Sequence, residues 1–476
     1  MTSGPITRRS VPLALVFALL ATACAAGDST PSVAPPTSGP SSTAPATTTP
    51  STLGTATTPG CPPIPTRVGP DPARPKYTLR VDARPADGNV DGQVQVVFIP
   101  DLDTDRLVLR LWPNGPGSAP GSKLEAGQVT IGGRPAASTL QDPTTLVVRT
   151  GTTFRAGQPV DVSLPWRLQV PASANDRVSR NGDALRLGSF FPILPWEPGV
   201  GWATDAAVGG FAEASTAPTA DFDVTVTVPE GFNVLGSGTP DPARPGHYTA
   251  SAMRDVAYSI GRFTTVSAVA MAPDPVQVTV GVHRGVDAPG AYLDRVVASL
   301  EDYGRRFGPY PWPTFTMAIT PELGGGIEYP GHVMQGPSTL GVASHEVAHQ
   351  WFYGLVGNDQ GRDPWLDEGL ASWAEARFEG RLERFKARVV PPGAKNKVGE
   401  PMSYWADRRD VYQDGVYVQG AQALAALGDP GLVDCALRVF VAVNAYRVAK
   451  QPDLVKAASA VFPDAAATLA AYGVKA

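Results

Sequence analysis

The sequence predicts a multidomain α+β protein in which a β-rich N-terminal part precedes a mainly helical part. Three patterns in the 476 residues support this prediction. Apolar and polar residues mostly alternate from Tyr77 to about Val282, helical spacing begins near residue 290, and the chain reads as mainly helical from Leu340 onward. The formal charge of −5 gives no indication of nucleic-acid binding.

The β-rich part is predicted to be an antiparallel sandwich or saddle over residues 61–272. Alternation is clearest at Phe222, Val224, Val226 and Val228, as in a strand with one buried face. Turn-forming pairs such as Asp87-Gly88 and Asn181-Gly182 separate the apolar runs. Many short strands with frequent turns are typical of this architecture.

Residues 273–476 are predicted to form a second domain. Apolar residues between 293 and 307 have helical spacing, and residues 314–320 have the pattern of a strand. The glycines at 324–326 would let a bound backbone approach closely. A continuous helix is predicted from Leu340 to Tyr353, and another from about Pro364.

The N-terminus has the features of an export signal. Arg8 and Arg9 precede a short apolar stretch, and Ala21-Thr22-Ala23-Cys24 resembles a bacterial lipobox. This predicts a signal peptide over residues 1–23 and lipidation of Cys24. An ordinary signal peptide, which would give a secreted protein, is the alternative, and the arginine pair also weakly resembles a twin-arginine signal.

Residues 24–60 are predicted to be a disordered tether, because Ser, Thr and Pro dominate and there is little to bury. Lipidation of Cys24 leaves Cys61 and Cys435. Two remaining cysteines in an extracytoplasmic protein favour a disulfide, with two free thiols as the alternative. The predicted location is therefore outside the cytoplasm, on the cell membrane through the N-terminal lipid.

The segment His345-Glu346-Val347-Ala348-His349 has the spacing of a catalytic zinc site. Positions i and i+4 share one face of a helix, so both histidines can bind one ion, and Glu346 can act as a base toward a metal-bound water. A catalytic zinc has three protein ligands and one open position. Glu368, on the next predicted helix, supplies the third ligand. Two histidines that merely fill a helix face are the alternative.

Four segments together resemble the aminopeptidase N-type zinc metallopeptidase family, which includes the leukotriene hydrolases. The resemblance covers roughly residues 75–476. The segments are HEVAHQWF, the 18-residue gap to Glu368, Gly325-Gly326-Ile327-Glu328-Tyr329, and Tyr417-Val418-Gln419-Gly420-Ala421. The chain departs from the family at Asp367, where Asn is usual, and at Ile327 and Tyr329, where Met and Asn are usual.

The resemblance implies a β saddle packed on a thermolysin-like catalytic domain with one bound Zn²⁺. It implies hydrolysis of the N-terminal bond of peptide substrates. The residues expected to act are the metal ligands His345, His349 and Glu368, the base Glu346, the oxyanion-stabilising Tyr417, and the substrate-binding Glu328, Gly325 and Gly326. Glu328 would bind the free α-amine, and Tyr412 is an alternative to Tyr417.

Other interpretations remain open. The protein could be a zinc endopeptidase, another zinc hydrolase of the same fold, or a lipoprotein that binds zinc or peptides without catalysis. The chain ends 59 residues after Tyr417, so no large C-terminal helical domain is expected. Glu375 follows Glu368 on the same helical face, where it could contact a ligand histidine or remain a surface acid.

Overall fold

The structure, a computed structural model, describes residues 58–209, 216–286 and 289–476. The predicted signal peptide, the lipidation site Cys24 and most of the predicted tether lie outside the described residues. Within the described part of the chain, no helix is both long enough and apolar enough to span a lipid bilayer.

Short strands make up most of the described chain from residue 76 to residue 261. They are β1 (Lys76–Arg84), β2 (Asn89–Phe98), β3 (Thr104–Arg110), β4 (Lys123–Ala126), β5 (Thr130–Ile131), β6 (Arg134–Pro135), β7 (Ser138–Asp142), β8 (Thr145–Phe154), β9 (Val160–Gln169), β10 (Val178–Asn181), β11 (Ala184–Leu187), β12 (Trp196–Glu197), β13 (Gly201–Trp202), β14 (Ala220–Thr227), β15 (Asn233–Gly236), β16 (Thr239–Pro240), β17 (His247–Met253) and β18 (Tyr258–Gly261). A 3-10 turn, Trp112–Asn114, follows β3.

The largest sheet has nine strands in the order β16-β17-β14-β1-β2-β9-β5-β6, with β4 also paired to β9. Phe222, Val224 and Val226 of β14 are buried, as their alternation predicted. Smaller sheets have the orders β3-β8-β7, β10-β11-β18-β15 and β12-β13. One pairing differs from the antiparallel prediction, because β1 and β14 run parallel with Tyr77 opposite Phe222. The period of two is the same in both directions, so it does not distinguish them.

The second part combines one mixed sheet with helices, which confirms the predicted α+β class. The sheet has the order β19-β20-β21-β23-β22. Its strands are β19 (Phe263–Met271), β20 (Pro275–His283), β21 (Thr314–Ile319), β22 (Gly326–Tyr329) and β23 (His332–Gln335). The predicted domain boundary at 272/273 falls in the turn between β19 and β20 and remains a prediction.

The helices lie between residues 289 and 470. They are α1 (Pro289–Phe307), α2 (Leu340–Ala348), α3 (Trp365–Phe378), α4 (Leu382–Ala387), α5 (Met402–Trp405), α6 (Arg409–Gln413), α7 (Gln419–Ala425), α8 (Pro430–Asn444), α9 (Gln451–Ser459) and α10 (Ala465–Ala470). A π-helical turn, Asp414–Val418, joins α6 to α7. Two short strands pair in parallel. They are β24 (Gly357–Asn358), which lies between α2 and α3, and β25 (Val448–Ala449), which lies between α8 and α9.

The helix predicted from Leu340 to Tyr353 is shorter in the structure, because α2 ends at Ala348. The chain then continues in turns, in which the amides of Gly354 and Leu355 bond the carbonyl groups five residues earlier. Tyr353 has a φ of 120°. Trp351 and Phe352 are still buried in these turns, so apolar residues continue at helical spacing beyond Ala348. The spacing alone therefore does not indicate where the helix ends.

The segment of residues 58–75, which we call the N-terminal strap, runs over the helical part before it enters β1. A disulfide joins Cys61 to Cys435 of α8. The Val68 amide donates a hydrogen bond to the Ala442 carbonyl, and the Arg67 guanidinium donates one to the Pro309 carbonyl. The strap therefore attaches the start of the β-rich part to the helical part, both covalently and through hydrogen bonds.

Candidate active site

Three side chains that the sequence predicts as zinc ligands converge between α2 and α3. His345 lies in the last turn of α2, and His349 caps its C-terminal end. Glu368 lies in the first turn of α3. Its Oε2 atom is 3.2 Å from His345 Nε2 and 3.4 Å from His349 Nε2, and the two Nε2 atoms are 3.1 Å apart. The three residues can therefore direct one ligand atom each to a shared point.

The other ring nitrogen of each histidine has a protein partner of its own. His349 Nδ1 is 3.1 Å from the carbonyl oxygen of Phe352, and His345 Nδ1 is 3.3 Å from Glu375 Oε2. An Nδ1–H that donates to each of these oxygens leaves both Nε2 lone pairs free to bind a metal. The protein thereby fixes the ring orientation that metal binding requires.

The charges and donor types at this point suit a divalent cation. Burial lowers the pKa of His349, but the carboxylates of Glu328 and Glu368 raise it by more, to about 9. Burial raises the pKa of Glu368, but hydrogen bonds from the two histidines bring it below its usual range. Two imidazole nitrogens and one carboxylate are a donor set of catalytic zinc sites. The residues present therefore fit Zn²⁺.

Glu346 projects from α2 into the same pocket. Only 5% of its surface is exposed, and its Oε2 atom has no hydrogen-bond partner within the described residues. Burial, more than any charge, raises the pKa of its carboxyl to about 8. A Cβ at Gly326 would lie 2.4 Å from Glu346 Cγ, so only glycine leaves the space that this side chain occupies. The free oxygen remains available to a water or a substrate.

Glu328 reaches the pocket from β22, at the edge of the mixed sheet. It is buried, and its carboxylate lies within 4.8 Å of a carboxylate oxygen of Glu346 and a ring nitrogen of His349. Burial raises the pKa of Glu328 above its usual value. Gly325, the middle residue of the glycine run 324–326, has a φ of +118°, a conformation that favours glycine. The predicted substrate-binding segment thus borders the predicted zinc site.

Tyr417 lies in the π-helical turn before α7 and contacts the ligand cluster. Its ring stacks on that of His345, with centroids 5.7 Å apart and an interplanar angle of 16°. Tyr412 packs edge-on against Tyr417 and is more deeply buried. Burial raises the pKa of the Tyr417 hydroxyl well above its usual value, so it remains a hydrogen-bond donor at neutral pH. Of these two tyrosines, Tyr417 is the one that stacks on a predicted ligand.

A close crossing of α3 and α7 brings Tyr417 to Glu368. A Cβ on Gly420 would lie 2.8 Å from the Cα of Gly369, so the two helices meet at their backbones. Gly420 belongs to the same motif as Tyr417, and Gly369 follows Glu368 directly. The two glycines therefore set the distance between the tyrosine and the ligand carboxylate.

Two further residues of the pocket were not singled out as functional from the sequence. Gln360 lies in the loop between β24 and α3, and its Nε2 atom is 2.7 Å from Asp367 Oδ2 and 3.4 Å from Glu328 Oε1. In the sequence, Asp367 is distinguished only by its departure from the family pattern. Nothing in the local sequence around Gln360 indicates that it faces Glu328.

The three remaining histidines lie away from the ligand cluster and have other partners. His332 is buried between the hydroxyls of Ser259 and Thr316, and burial lowers its pKa to about 3. His247 contacts Asp223, and His283 contacts Asp183. Their contacts are those of structural histidines.

We expect Glu375→Ala to weaken zinc binding about 10- to 100-fold, because it removes the acceptor that orients His345. Competition with a metal chelator, followed by metal analysis, measures this change. Glu383→Ala is a matched control, because Glu383 is an exposed acid that pairs only with Lys386 among the ion pairs of the described residues. Equal zinc affinity in the two variants would contradict a role of Glu375 in orienting His345.

The chain is similar to zinc peptidases in sequence and in structure. Residues 292–467 match the family described as the peptidase family M1 domain. The chain is 30% identical over 208 residues to the mouse protein Endoplasmic reticulum aminopeptidase 1. The aligned stretch covers 37% of this chain and 22% of the mouse protein. The match thus spans about a fifth of that relative's length.

Solved structures are similar over a larger part of the chain. A two-domain M1 zinc metallopeptidase bound to L-arginine has a TM-score of 0.63 and 19% identity, over 84% of this chain and 93% of that one. An M1 zinc metallopeptidase from Deinococcus radiodurans, bound to a Tyr-Ser-Ala substrate, has a TM-score of 0.61 and 20% identity, over 84% and 94% of the two chains. At these identities the similarity establishes the fold.

Proposed function

Residues 292–467 of this chain are a peptidase family M1 domain, and from that premise we propose that the protein is a zinc-dependent aminopeptidase. It would remove the N-terminal residue from peptides. The observation that carries this proposal is the position of Glu328, a buried carboxylate beside the general-base candidate Glu346 and the ligand candidate His349. A fixed negative charge at this place suits a substrate whose positive α-ammonium group lies next to the bond that is cut.

We assign one zinc ion to His345, His349 and Glu368. Zn²⁺ bound by such residues would lower the pKa of a bound water to about 7 and polarise a carbonyl oxygen. The orientation of both imidazole rings by Phe352 and Glu375 supports this assignment. The name of the D. radiodurans relative as a zinc metallopeptidase supports it as well.

The chain's own residues would provide the other steps. Glu346 accepts a proton from the attacking water and passes it to the nitrogen of the leaving amine. Its buried carboxylate, with one oxygen unpartnered in the described structure, suits this exchange. Tyr417 donates a hydrogen bond to the carbonyl oxygen as that oxygen becomes negative, a contribution of about 2.7–4 kcal/mol per donor. Glu328 holds the ammonium group, with Gly325 and Gly326 beside the substrate backbone.

We also propose that the protein acts outside the cytoplasm, attached to the cell membrane through a lipid on Cys24. The Cys61–Cys435 disulfide supports an oxidising compartment, because such bonds rarely persist in the cytosol. Incorporation of a labelled fatty acid, compared between wild type and Cys24→Ser, tests the anchor. A protein that stays unlabelled in both forms would instead indicate a secreted enzyme.

A panel of aminoacyl-arylamides and their N-acetylated counterparts tests the exopeptidase activity. We expect turnover of the free-amine substrates only. Glu328→Ala should lower kcat/KM for them about 10- to 100-fold, the effect of losing a hydrogen bond to a charged group. Glu322→Ala is the control, because Glu322 is an exposed acid in the turn that precedes β22, the strand that carries Glu328.

Each other outcome has a definite meaning. Equal cleavage of blocked and free substrates would contradict the aminopeptidase proposal and indicate an endopeptidase or a broader hydrolase. Bound zinc without turnover of any member of the panel would favour a protein that binds zinc or peptides without catalysis. An equal effect of Glu322→Ala and Glu328→Ala would show that the amine is not held by Glu328.

A further inference from the structure

The side-chain amide of Gln360 lies between two buried carboxylates. Its Nε2 atom donates to Asp367 Oδ2 at 2.7 Å and to Glu328 Oε1 at 3.4 Å. In the structure the nitrogen of the Gln360 amide faces both acids and donates to each of them. The amide oxygen is therefore directed away from Asp367.

The amide oxygen of Gln360 has no hydrogen-bond partner within the described residues. Gln360 is only 1% exposed, so this oxygen does not obtain a partner from bulk solvent. A buried acceptor without a donor is unfavourable, and such groups are rare in proteins. A ligand with N–H groups next to Glu328 would supply the missing donor.

The loop that carries Gln360 is fixed on both sides. Before it, β24 pairs with β25, and Asp359 accepts hydrogen bonds from the backbone of Arg362. After it, Arg362 forms ion pairs with Glu197 and Asp205 of the β-rich part. Gln360 is therefore held in place before a substrate binds, which lowers the entropy cost of binding.

We propose that Gln360 is a second acceptor for the α-ammonium group of the substrate. This inference rests on the proposed aminopeptidase function and adds a residue that none of the sequence motifs predicts to bind the substrate. An ammonium group has three N–H donors. Glu328 offers charge and one oxygen that Gln360 does not occupy, and the Gln360 oxygen accepts a second N–H. The same amide thus holds the Glu328 carboxylate and contacts the amine that Glu328 binds.

A purely structural role predicts a different result. If Gln360 only separates two carboxylates, its loss disturbs the pocket for every ligand, with or without an amine. Discrimination between matched ligands is therefore the informative quantity. L-leucine hydroxamate and 4-methylpentanohydroxamate are such a pair, because both carry the same metal-binding group and the same side chain, and only the first carries the amine.

Isothermal titration calorimetry on the zinc-loaded enzyme measures the affinity for both ligands. We expect Gln360→Leu, and the closer-fitting Gln360→Met, to weaken binding of the amine ligand about tenfold or more and to leave the other ligand nearly unchanged. Gln451→Leu is the control, because Gln451 is also a buried glutamine but bonds Asp363 and the Gly399 carbonyl. Zinc content and thermal unfolding show which variants are intact.

The outcomes separate this inference from the function on which it rests. If the wild type prefers the amine ligand and an intact Gln360 variant keeps the full preference, Gln360 is not an acceptor, and the aminopeptidase proposal stands. If the variants weaken both ligands equally, the role is structural. If the wild type itself binds both ligands equally, the amine pocket is absent, and both proposals are wrong.

Discussion

Replacing Glu346 with glutamine should remove almost all peptidase activity and leave zinc binding intact. The exchange keeps the shape of the side chain, so the contact with Gly326 is preserved. It removes the proposed acceptor of the attacking water's proton, a role worth about 10²- to 10⁴-fold in rate. We therefore expect kcat to fall by about 10³-fold. Arylamide kinetics and metal analysis on the same preparation measure both quantities.

His349→Ala provides the contrasting control. It removes a proposed ligand, so activity and zinc should be lost together. If Glu346→Gln keeps more than about a tenth of the wild-type rate, Glu346 is not the general base. Loss of zinc from Glu346→Gln would instead indicate that Glu346 is a metal ligand. Glu346 is close enough for that role, because its carboxylate lies near ligand atoms of His349 and Glu328.

Loss of the disulfide should have the largest effect on stability. The bond closes a loop of 374 residues in sequence separation. Removal of a native disulfide typically costs about 2–5 kcal/mol, and long loops lie at the upper end in the chain-entropy account. We expect Cys435→Ser to lower the free energy of unfolding by this amount, as measured by urea denaturation.

Chemical reduction of the disulfide is the control for this prediction. Reductant should lower the unfolding midpoint of the wild type to that of Cys435→Ser and should not change the midpoint of the variant. Arylamide turnover at 25 °C should persist, because neither cysteine belongs to the proposed active site. Identical midpoints for the oxidised and reduced wild type would show that the strap is held by its noncovalent contacts alone.

The fold class could be predicted from the sequence because it depends on local spacing. Local spacing also indicated the candidate ligands, whose binding of zinc remains a prediction. His345 and His349 share a helix face wherever a helix forms. Glu328 and Tyr417 came from the family resemblance, and the structure brings both to the ligand cluster. Their catalytic roles remain predictions until the variants are measured.

Long-range contacts account for what the sequence did not predict. Gln360 faces Glu328 because β24 pairs with β25, about ninety residues later in the chain. The parallel pairing of β1 with β14 joins segments whose alternation suits either direction. The early end of α2 was concealed because Trp351 and Phe352 stay buried in the turns that follow. None of these features has a local signature.

The contacts of the N-terminal strap have a consequence for how the protein would respond to a pulling force. If Cys24 carries the proposed lipid, a force between the protein and the membrane would enter the chain from its N-terminal side. Tension that reaches the strap passes through the Cys61–Cys435 bond into α8 before it reaches β1. Strand β1, which is central in the nine-stranded sheet, is therefore shielded from peeling, and the force is carried by a covalent bond and a 15-residue helix.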